Sequence, residues 1–160
     1  MKKTVYLSLG SNLGDRRANL RNAIGKLLNL GNLLAVSSYY ETEPVDLTEQ
    51  PWFLNCAVAL QTELKAEDFL DEIMDIEREM GRQRTEPKGP RTLDIDILLF
   101  GKAVLRMPRL TIPHRAMHER RFVLEPLAEI APDVQHPVLK VTVREMLQAL
   151  PKTAQAVRKA

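Results

Sequence analysis

The chain is short of the residues that sort a protein quickly. It has one cysteine among 160 residues, Cys56, so no internal disulfide can form and a disulfide-stapled secreted scaffold is excluded. The compartment expected from this is the cytoplasm. Cys56 sits in the strand-like run "FLNCAVAL", where a buried, inert thiol fits better than a nucleophile. No apolar run approaches the ~20 residues of a membrane span. The basic start "MKKTVYLSLGSN" breaks at Gly10-Ser11-Asn12, too early for the apolar core of a signal peptide. Aromatics make up 5% of the chain, too few for the stacked-ring sheets of RNA-binding modules, and "FLNCAVAL" lacks their glycine-rich pattern. Net charge is only +2, so no partner follows from charge alone; no nucleic acid and no membrane are expected. Low-complexity tracts and repeats are also missing, and the length suits a single domain over residues 1–160.

What is there reads as alternating strands and helices. "TVYLSLG" (4–10) is β-branched at its start and ended by Gly10, a strand. Residues 14–30 read as a helix with Asp15 as N-cap and a stripe of Leu20, Ala23, Ile24, Leu27 and Leu28. A strand over 33–42 follows, then a loop over 43–52 with prolines near both ends, then a strand over 53–64. Residues 65–81 form an amphipathic helix, with acids in the first turn and Phe69, Leu70, Ile73, Ile76 and Met80 on one face. A polar loop over 82–90 leads to a strand over 92–101, and a short edge element follows near Val104–Leu105. Residues 110–114 lead into a helical region around 115–130. A short helix spans 141–150, and 151–160 reads as a loose tail. The order β-α-β-β-α-β predicts an α+β, ferredoxin-like split βαβ core: an antiparallel four-stranded sheet with both helices on one face. The C-terminal helices then cover the other face.

Charge is distributed unevenly. Arg82 to Arg121 holds ten Lys or Arg against four acids. Arginine dominates, and its planar fork suits phosphate oxygens, although a solvated basic face is the plainer reading. Two of the acids, Asp94 and Asp96, lie inside the apolar run "TLDIDILLFG". Side chains alternate along a strand, so Leu93, Ile95, Ile97 and Leu99 are expected on one face, and Asp94, Asp96, Leu98 and Phe100 on the other. Two like charges on a partly covered face repel and lose hydration. An arginine or a divalent cation must sit between them. Mg²⁺ binds through one or two carboxylates plus substrate phosphates, and metal-holding carboxylates beside phosphate-holding arginines are the parts of a phosphoryl-transfer site.

Other motifs say less on their own. "GSNLGDR" (10–16) could bind an anion at a helix start, but it lacks the Lys-Ser/Thr of a P-loop and reads as helix capping. His114 is either a core histidine or a phosphate contact. His118 and His136 have no zinc-ligand spacing. Phe53 and Asn55, two apart on a strand, present a ring and an amide on one face. That pair suits a flat heterocycle or an ordinary sheet surface.

Five stretches together carry a resemblance: "LSLGSNLGDR", "SSYYETEPV", "QPWFLNCAV", "GRQRTEPKGPRTLDIDILLFG" and "LTIPHRAMHERRFVLEPLAEIAP". They cover most of residues 5–133, and the chain resembles the 6-hydroxymethyl-7,8-dihydropterin pyrophosphokinase family. The resemblance implies transfer of the diphosphoryl group of ATP to a pterin hydroxymethyl group, leaving AMP, on the ferredoxin-like fold. It implies two Mg²⁺ with ATP, held by Asp94 and Asp96. It implies nucleotide contacts from Glu77, Arg84, Arg91, Ile97, Arg109, Thr111, His114, Arg115 and Arg120. Pterin contacts are implied for Thr42, Pro44, Val45, Phe53, Asn55 and Phe122, and catalytic roles for Arg82, Arg91 and Asp96. ATP and the hydroxymethyl pterin are the expected partners of a monomer. Lys88 stands where a loop tryptophan is common in the family, Thr85 where lysine is, Arg115 where tyrosine is, and Glu43 where some members have proline. A ligand-binding regulatory domain without turnover is the rival reading.

Overall fold

Along β1 (Lys3–Ser11), Val5, Leu7 and Leu9 alternate with Tyr6, Ser8 and Gly10, the period of a strand covered on both faces. The computed structural model describes residues 1–44, 49–81, 92–152 and 155–160. In it β1 pairs antiparallel with β4 (Phe53–Thr62) on one side and with β5 (Asp94–Phe100) on the other. The far edge of β4 is shared. β2 (Asn32–Val36) pairs with its second half and β3 (Tyr40–Thr42) with its first residues. The sheet order is β5-β1-β4-β3-β8, with β2 also on β4. The expected split βαβ order is therefore present, and β5 is an edge strand.

Two apolar layers hold the sheet. Leu20, Ala23 and Leu27 of α1 (Arg16–Leu27) and Phe69, Ile73 and Ile76 of α2 (Ala66–Glu79) pack on one face against Leu7, Leu9, Cys56 and Val58. Val123, Leu124 and Leu127 of α3 (Arg121–Ile130), with Val143 and Met146 of α4 (Val143–Ala149), fill the other against Ala57, Leu98 and Leu99. Each fully buried side chain of this size contributes about 1.5–3 kcal/mol of transfer free energy. The Asp15 carboxylate accepts the Ala18 N–H at 3.1 Å, so the N-cap expected of α1 is there. Thr142 and Glu145 close a reciprocal cap on α4. Leu28 does not join the stripe of α1; it lies one residue past the helix and is exposed.

Four features depart from the sequence pattern. The strand expected over 33–42 is two strands. At the break, Ser37 donates its N–H to the Ala57 carbonyl at 2.9 Å while its hydroxyl accepts the Ala57 N–H at 2.8 Å. A side-chain oxygen replaces a main-chain one in the ladder, and the strand divides there. The tail is not loose, because Val157–Lys159 forms β8 and pairs antiparallel with β3. The short element after β5 is a separate hairpin, β6 (Leu105–Met107) with β7 (Leu110–Ile112).

The fourth departure is a β-bulge. Tyr6 lies opposite Leu99 but Leu7 lies opposite Ile97, so Leu98 is an extra residue. Beyond a bulge the side-chain alternation slips by one. Leu98 and Leu99 both enter the α3–α4 layer, while Phe100 crosses to the other face. There it meets Phe69 edge-on, centroids 6.0 Å apart at 74°. The strict alternation expected at Leu99 and Phe100 is corrected accordingly. Asp94 and Asp96 precede the bulge and keep their shared face.

Candidate active site

Register places the chemistry. Gly10 of β1 lies between Asp94 of β5 and Asn55 of β4, and Tyr40 of β3 continues the row. The next row runs Asp96, Ser8, Ala57. Directly opposed residues share a face, so both carboxylates lie on the α3 side of the sheet. Phe53 and Asn55 lie on the same side, two strand spacings or roughly 9–10 Å away. Between them β1 offers only Gly10 and Ser8, which leaves a trough. A methyl group on Gly10 would come within 2.5 Å of Asn55 Nδ2 and 3.4 Å of the Phe53 ring. Asn55 is buried and fixed: it donates to the Leu9 carbonyl at 3.2 Å and accepts the Thr42 hydroxyl.

On the outer side of β5 lies a cavity of about 430 Å³. Ile95, Asp96, Ile97, Arg109, Thr111, His114 and Arg115 are among its walls. Five of the nucleotide residues implied by the resemblance are thus brought together. Glu77 sits beneath, 6% exposed, and its Oε2 accepts the Ile95 N–H at 2.9 Å. By the alternation of an antiparallel edge, the Ile97 peptide groups face the same outward side.

His114 links cavity and carboxylates. Its main-chain N–H donates to the Leu98 carbonyl at 3.0 Å. Its Nδ1 accepts the Ala116 N–H at 3.2 Å, so the neutral ring carries its proton on Nε2, 4.0 Å from Asp96 Oδ1. Burial lowers its pKa, Arg120 and Arg115 lower it further, and Asp94 opposes them. The ring is therefore neutral at neutral pH. Arg109 is exposed and pairs with Asp71 of α2 at the cavity rim. The Arg120 guanidinium lies over the Phe122 ring, 5.6 Å from its centroid.

Arg82, Arg84 and Arg91, together with Val45, Thr85 and Lys88, lie outside the described residues. Pro44 is buried two residues past the end of β3. Among the described residues no group of three His, Cys, Asp or Glu could cage a metal. Two half-buried carboxylates on one face, Asp96 of them on the cavity wall, do fit Mg²⁺, which completes its shell with water and substrate oxygens.

A family model described as 7,8-dihydro-6-hydroxymethylpterin-pyrophosphokinase (HPPK) matches residues 6–132. The chain belongs to this family. It is therefore an enzyme, a pyrophosphokinase of folate synthesis that uses ATP. The 2-amino-4-hydroxy-6-hydroxymethyldihydropteridine pyrophosphokinase of Pseudomonas aeruginosa is 46% identical over 139 residues, covering 86% of each chain. The folic acid synthesis protein FOL1 of Dictyostelium discoideum is 43% identical over 147 residues, which are 92% of this chain but 22% of that protein. In shape, the HPPK-DHPS of Plasmodium falciparum solved with pterin and p-hydrobenzoate superposes with a TM-score of 0.73 at 18% identity. The match covers 92% of this chain and 44% of that one. It shows a shared fold.

Several long-range ties that brace the site's elements could not be read from the sequence. Asn12 is buried and donates to Gln50 Oε1 at 2.9 Å and to the Pro51 carbonyl at 3.0 Å. Arg16 grips Glu41 through both carboxylate oxygens, at 2.8 and 2.6 Å, and reaches the Trp52 carbonyl at 3.1 Å. "GSNLGDR" thus caps α1 and also braces the start of β4. Glu129 of α3 accepts from the Tyr40 hydroxyl at 2.6 Å and from the Ser38 N–H at 2.8 Å, fixing α3 on the sheet. Partners this far apart in sequence leave no local pattern.

Proposed function

We propose that this chain transfers the β,γ-diphosphoryl group of ATP to the hydroxymethyl oxygen of 6-hydroxymethyl-7,8-dihydropterin, with AMP as the leaving group. One observation carries the division of labour. The Asp94–Asp96 face lies between the cavity outside β5 and the Phe53–Asn55 platform on β4. ATP occupies the cavity, its base against the Ile97 edge and Thr111. His114, Arg115 and Arg109 meet the phosphates, with Arg109 exchanging Asp71 for them. Glu77 fixes the strand from below. Asp94 and Asp96 would hold two Mg²⁺. When bound, the ions supply charge neutralisation at the phosphate chain.

The pterin lies flat between Phe53 and Phe122, with Thr42, Asn55, Pro44 and Val45 around its edge. The trough over Gly10 and Ser8 lets its hydroxymethyl oxygen approach the β-phosphorus in line with the departing oxygen of AMP. Arg82, Arg84 and Arg91 add positive charge where the leaving oxygen becomes negative. Arg120, stacked on Phe122, ties the ring wall to the phosphate side. No described helix is long and apolar enough to cross a membrane, and we place the reaction in the cytoplasm, carried out by a monomer with one catalytic domain over 1–160.

The test is direct. Protein, Mg²⁺, ATP and the hydroxymethyl pterin are mixed and AMP is measured against a pterin-free control. AMP that requires pterin is expected; none above control refutes the proposal. Asp96→Ala should abolish turnover with an unchanged far-UV spectrum, and near-normal activity would remove the metal role of Asp96.

A further inference from the structure

The segment 155–160 has no chemical signature of its own, yet it reaches both walls of the ring platform. Gln155 is 8% exposed. Its Oε1 accepts the Phe122 N–H at 3.1 Å, and its Nε2 donates to the Glu43 carbonyl at 2.7 Å. The Phe122 N–H belongs to the first turn of α3, where a helix leaves its donors unsatisfied, and the N-cap of α3 makes no side-chain cap bond. Gln155 supplies an acceptor from far away in sequence. Ala156 pairs twice with Glu43: its N–H donates to Glu43 Oε1 at 2.8 Å and its carbonyl accepts the Glu43 N–H at 3.1 Å. Two residues on, the Arg158 guanidinium lies over the Trp52 ring, 5.1 Å from its centroid. Glu43 follows β3 and Trp52 precedes Phe53. The short segment 155–158 thus holds the start of α3 and both flanks of the β3–β4 wall.

We propose that Gln155 is a positioning residue for the pterin, setting the gap between the Phe122 ring and the wall that carries Thr42, Phe53 and Asn55. The proposal rests on the reading of Phe53 and Phe122 as the pterin platform. A flat ring stacked on both sides needs the two walls roughly 7–8 Å apart, two van der Waals contacts of ~3.5–4 Å each. A small shift of the first turn of α3 loosens both contacts at once. The nucleotide cavity lies outside β5, and Gln155 is not among its walls. Loss of Gln155 should therefore weaken pterin binding more than nucleotide binding, to which this turn contributes only Arg120. The same pairing accounts for glutamate at position 43. Its N–H and its carboxylate are both used by Ala156, and proline would supply neither.

The experiment compares the wild type with Gln155→Met and Gln155→Glu. Methionine keeps length and volume but makes neither hydrogen bond; glutamate keeps the acceptor for Phe122 only. Dissociation constants for the pterin and for a non-hydrolysable ATP analogue with Mg²⁺ are measured by calorimetry, alongside KM and kcat. Gln155→Met loses both hydrogen bonds and should raise the pterin Kd and KM by roughly tenfold. Nucleotide affinity and kcat at saturating pterin should stay within about twofold of wild type. Gln155→Glu should lose less, and it carries the test alone if the methionine variant does not fold. Unchanged pterin affinity, or parallel weakening of pterin and nucleotide, overturns the proposal. Phe122→Ala separates the two readings. If its pterin affinity is unchanged, the platform itself is wrong. If Phe122→Ala loses affinity and Gln155→Met does not, only the positioning role falls.

Discussion

Gly10→Ala tests whether the trough is real. No unusual backbone angle demands glycine at this position; only space does. The added methyl would lie 2.5 Å from Asn55 Nδ2, about 1 Å inside an ordinary contact. The obstructing atom is not the free end of a flexible chain. Asn55 is buried, its Nδ2 donates to the Leu9 carbonyl, and its Oδ1 accepts from Thr42. Relief requires the amide to move and break at least the Leu9 bond. Overpacking of a tight site costs about 1–3 kcal/mol, and the lost hydrogen bond about 1 kcal/mol. Stiffening of the unfolded chain by alanine offsets about 0.4–1 kcal/mol. The net is a destabilisation of about 2–3 kcal/mol, or roughly 5–10 °C in Tm for a domain of this size. Differential scanning calorimetry reads the stability, and titration with pterin reads the displaced Asn55. Pterin affinity should fall with nucleotide affinity preserved. A variant melting within about 1 °C of wild type, with normal pterin affinity, would refute both the clash and the placement of the pterin over Gly10.

Cys56 is buried among aliphatic side chains, which pushes its thiol pKa up to about 12. A thiol reagent at pH 8 should label it only at the rate of unfolding, and rapid labelling of the native chain would contradict its burial. Glu41 is held below the usual carboxylate range by the Arg16 hydrogen bonds, with burial opposing. Because its folded pKa is depressed, the stabilisation is present above the ordinary carboxylate pKa and fades as pH falls through the folded value. Glu41→Gln should cost about 1 kcal/mol at pH 7, and the gap in Tm should close under acid; a gap constant from pH 7 to pH 3 would count against the pairing. Asp71→Ala frees Arg109 at the cavity rim. Exposed ion pairs are weak, so the KM for ATP should fall by at most about fivefold with that for pterin unchanged; a rise would show that Asp71 assists the nucleotide.

The residues legible in the sequence were those whose neighbours in space are also neighbours along a strand or helix. Asp94 and Asp96 share a face because the pleat alternates, and Asp15 caps α1 because the cap is local. Thr111, His114 and Arg115 fall in one short run, and β7 delivers that run to the cavity as a unit. The bulge at Leu98 was hidden. It is a property of the pairing between β5 and β1, and a run as apolar as Ile97–Phe100 satisfies either face. β8 was hidden for a related reason: "VRK" is too short and charged to announce a strand, and its pairing with β3 depends on contacts such as Gln155 to Phe122 and Glu43. Asn12, Arg16 and Glu129 act through partners at least 25 residues away in sequence.

Edge strands carry a hazard, since their outward peptide groups can recruit another chain. Here the edge is β5, the strand that bears both aspartates, and the site's own residues manage it. Glu77 takes the Ile95 N–H from below, and the His114 N–H takes the Leu98 carbonyl from the side. Ile97 lies between these two ties, on the cavity wall. A central strand could not serve as well, because neighbours on both sides would occupy the backbone groups that the cavity exposes. Nor could a flat edge. The bulge lets Leu98 and Leu99 anchor the strand in the α3–α4 layer while Phe100 anchors it in the other. β5 is thereby pinned on both faces at one end and presents its two carboxylates at the other. Glu77 through the Ile95 N–H and His114 through the Leu98 carbonyl thus tie β5 on either side of Asp96. Stability and chemistry at this strand are therefore coupled through Glu77, Leu98 and His114 rather than separable.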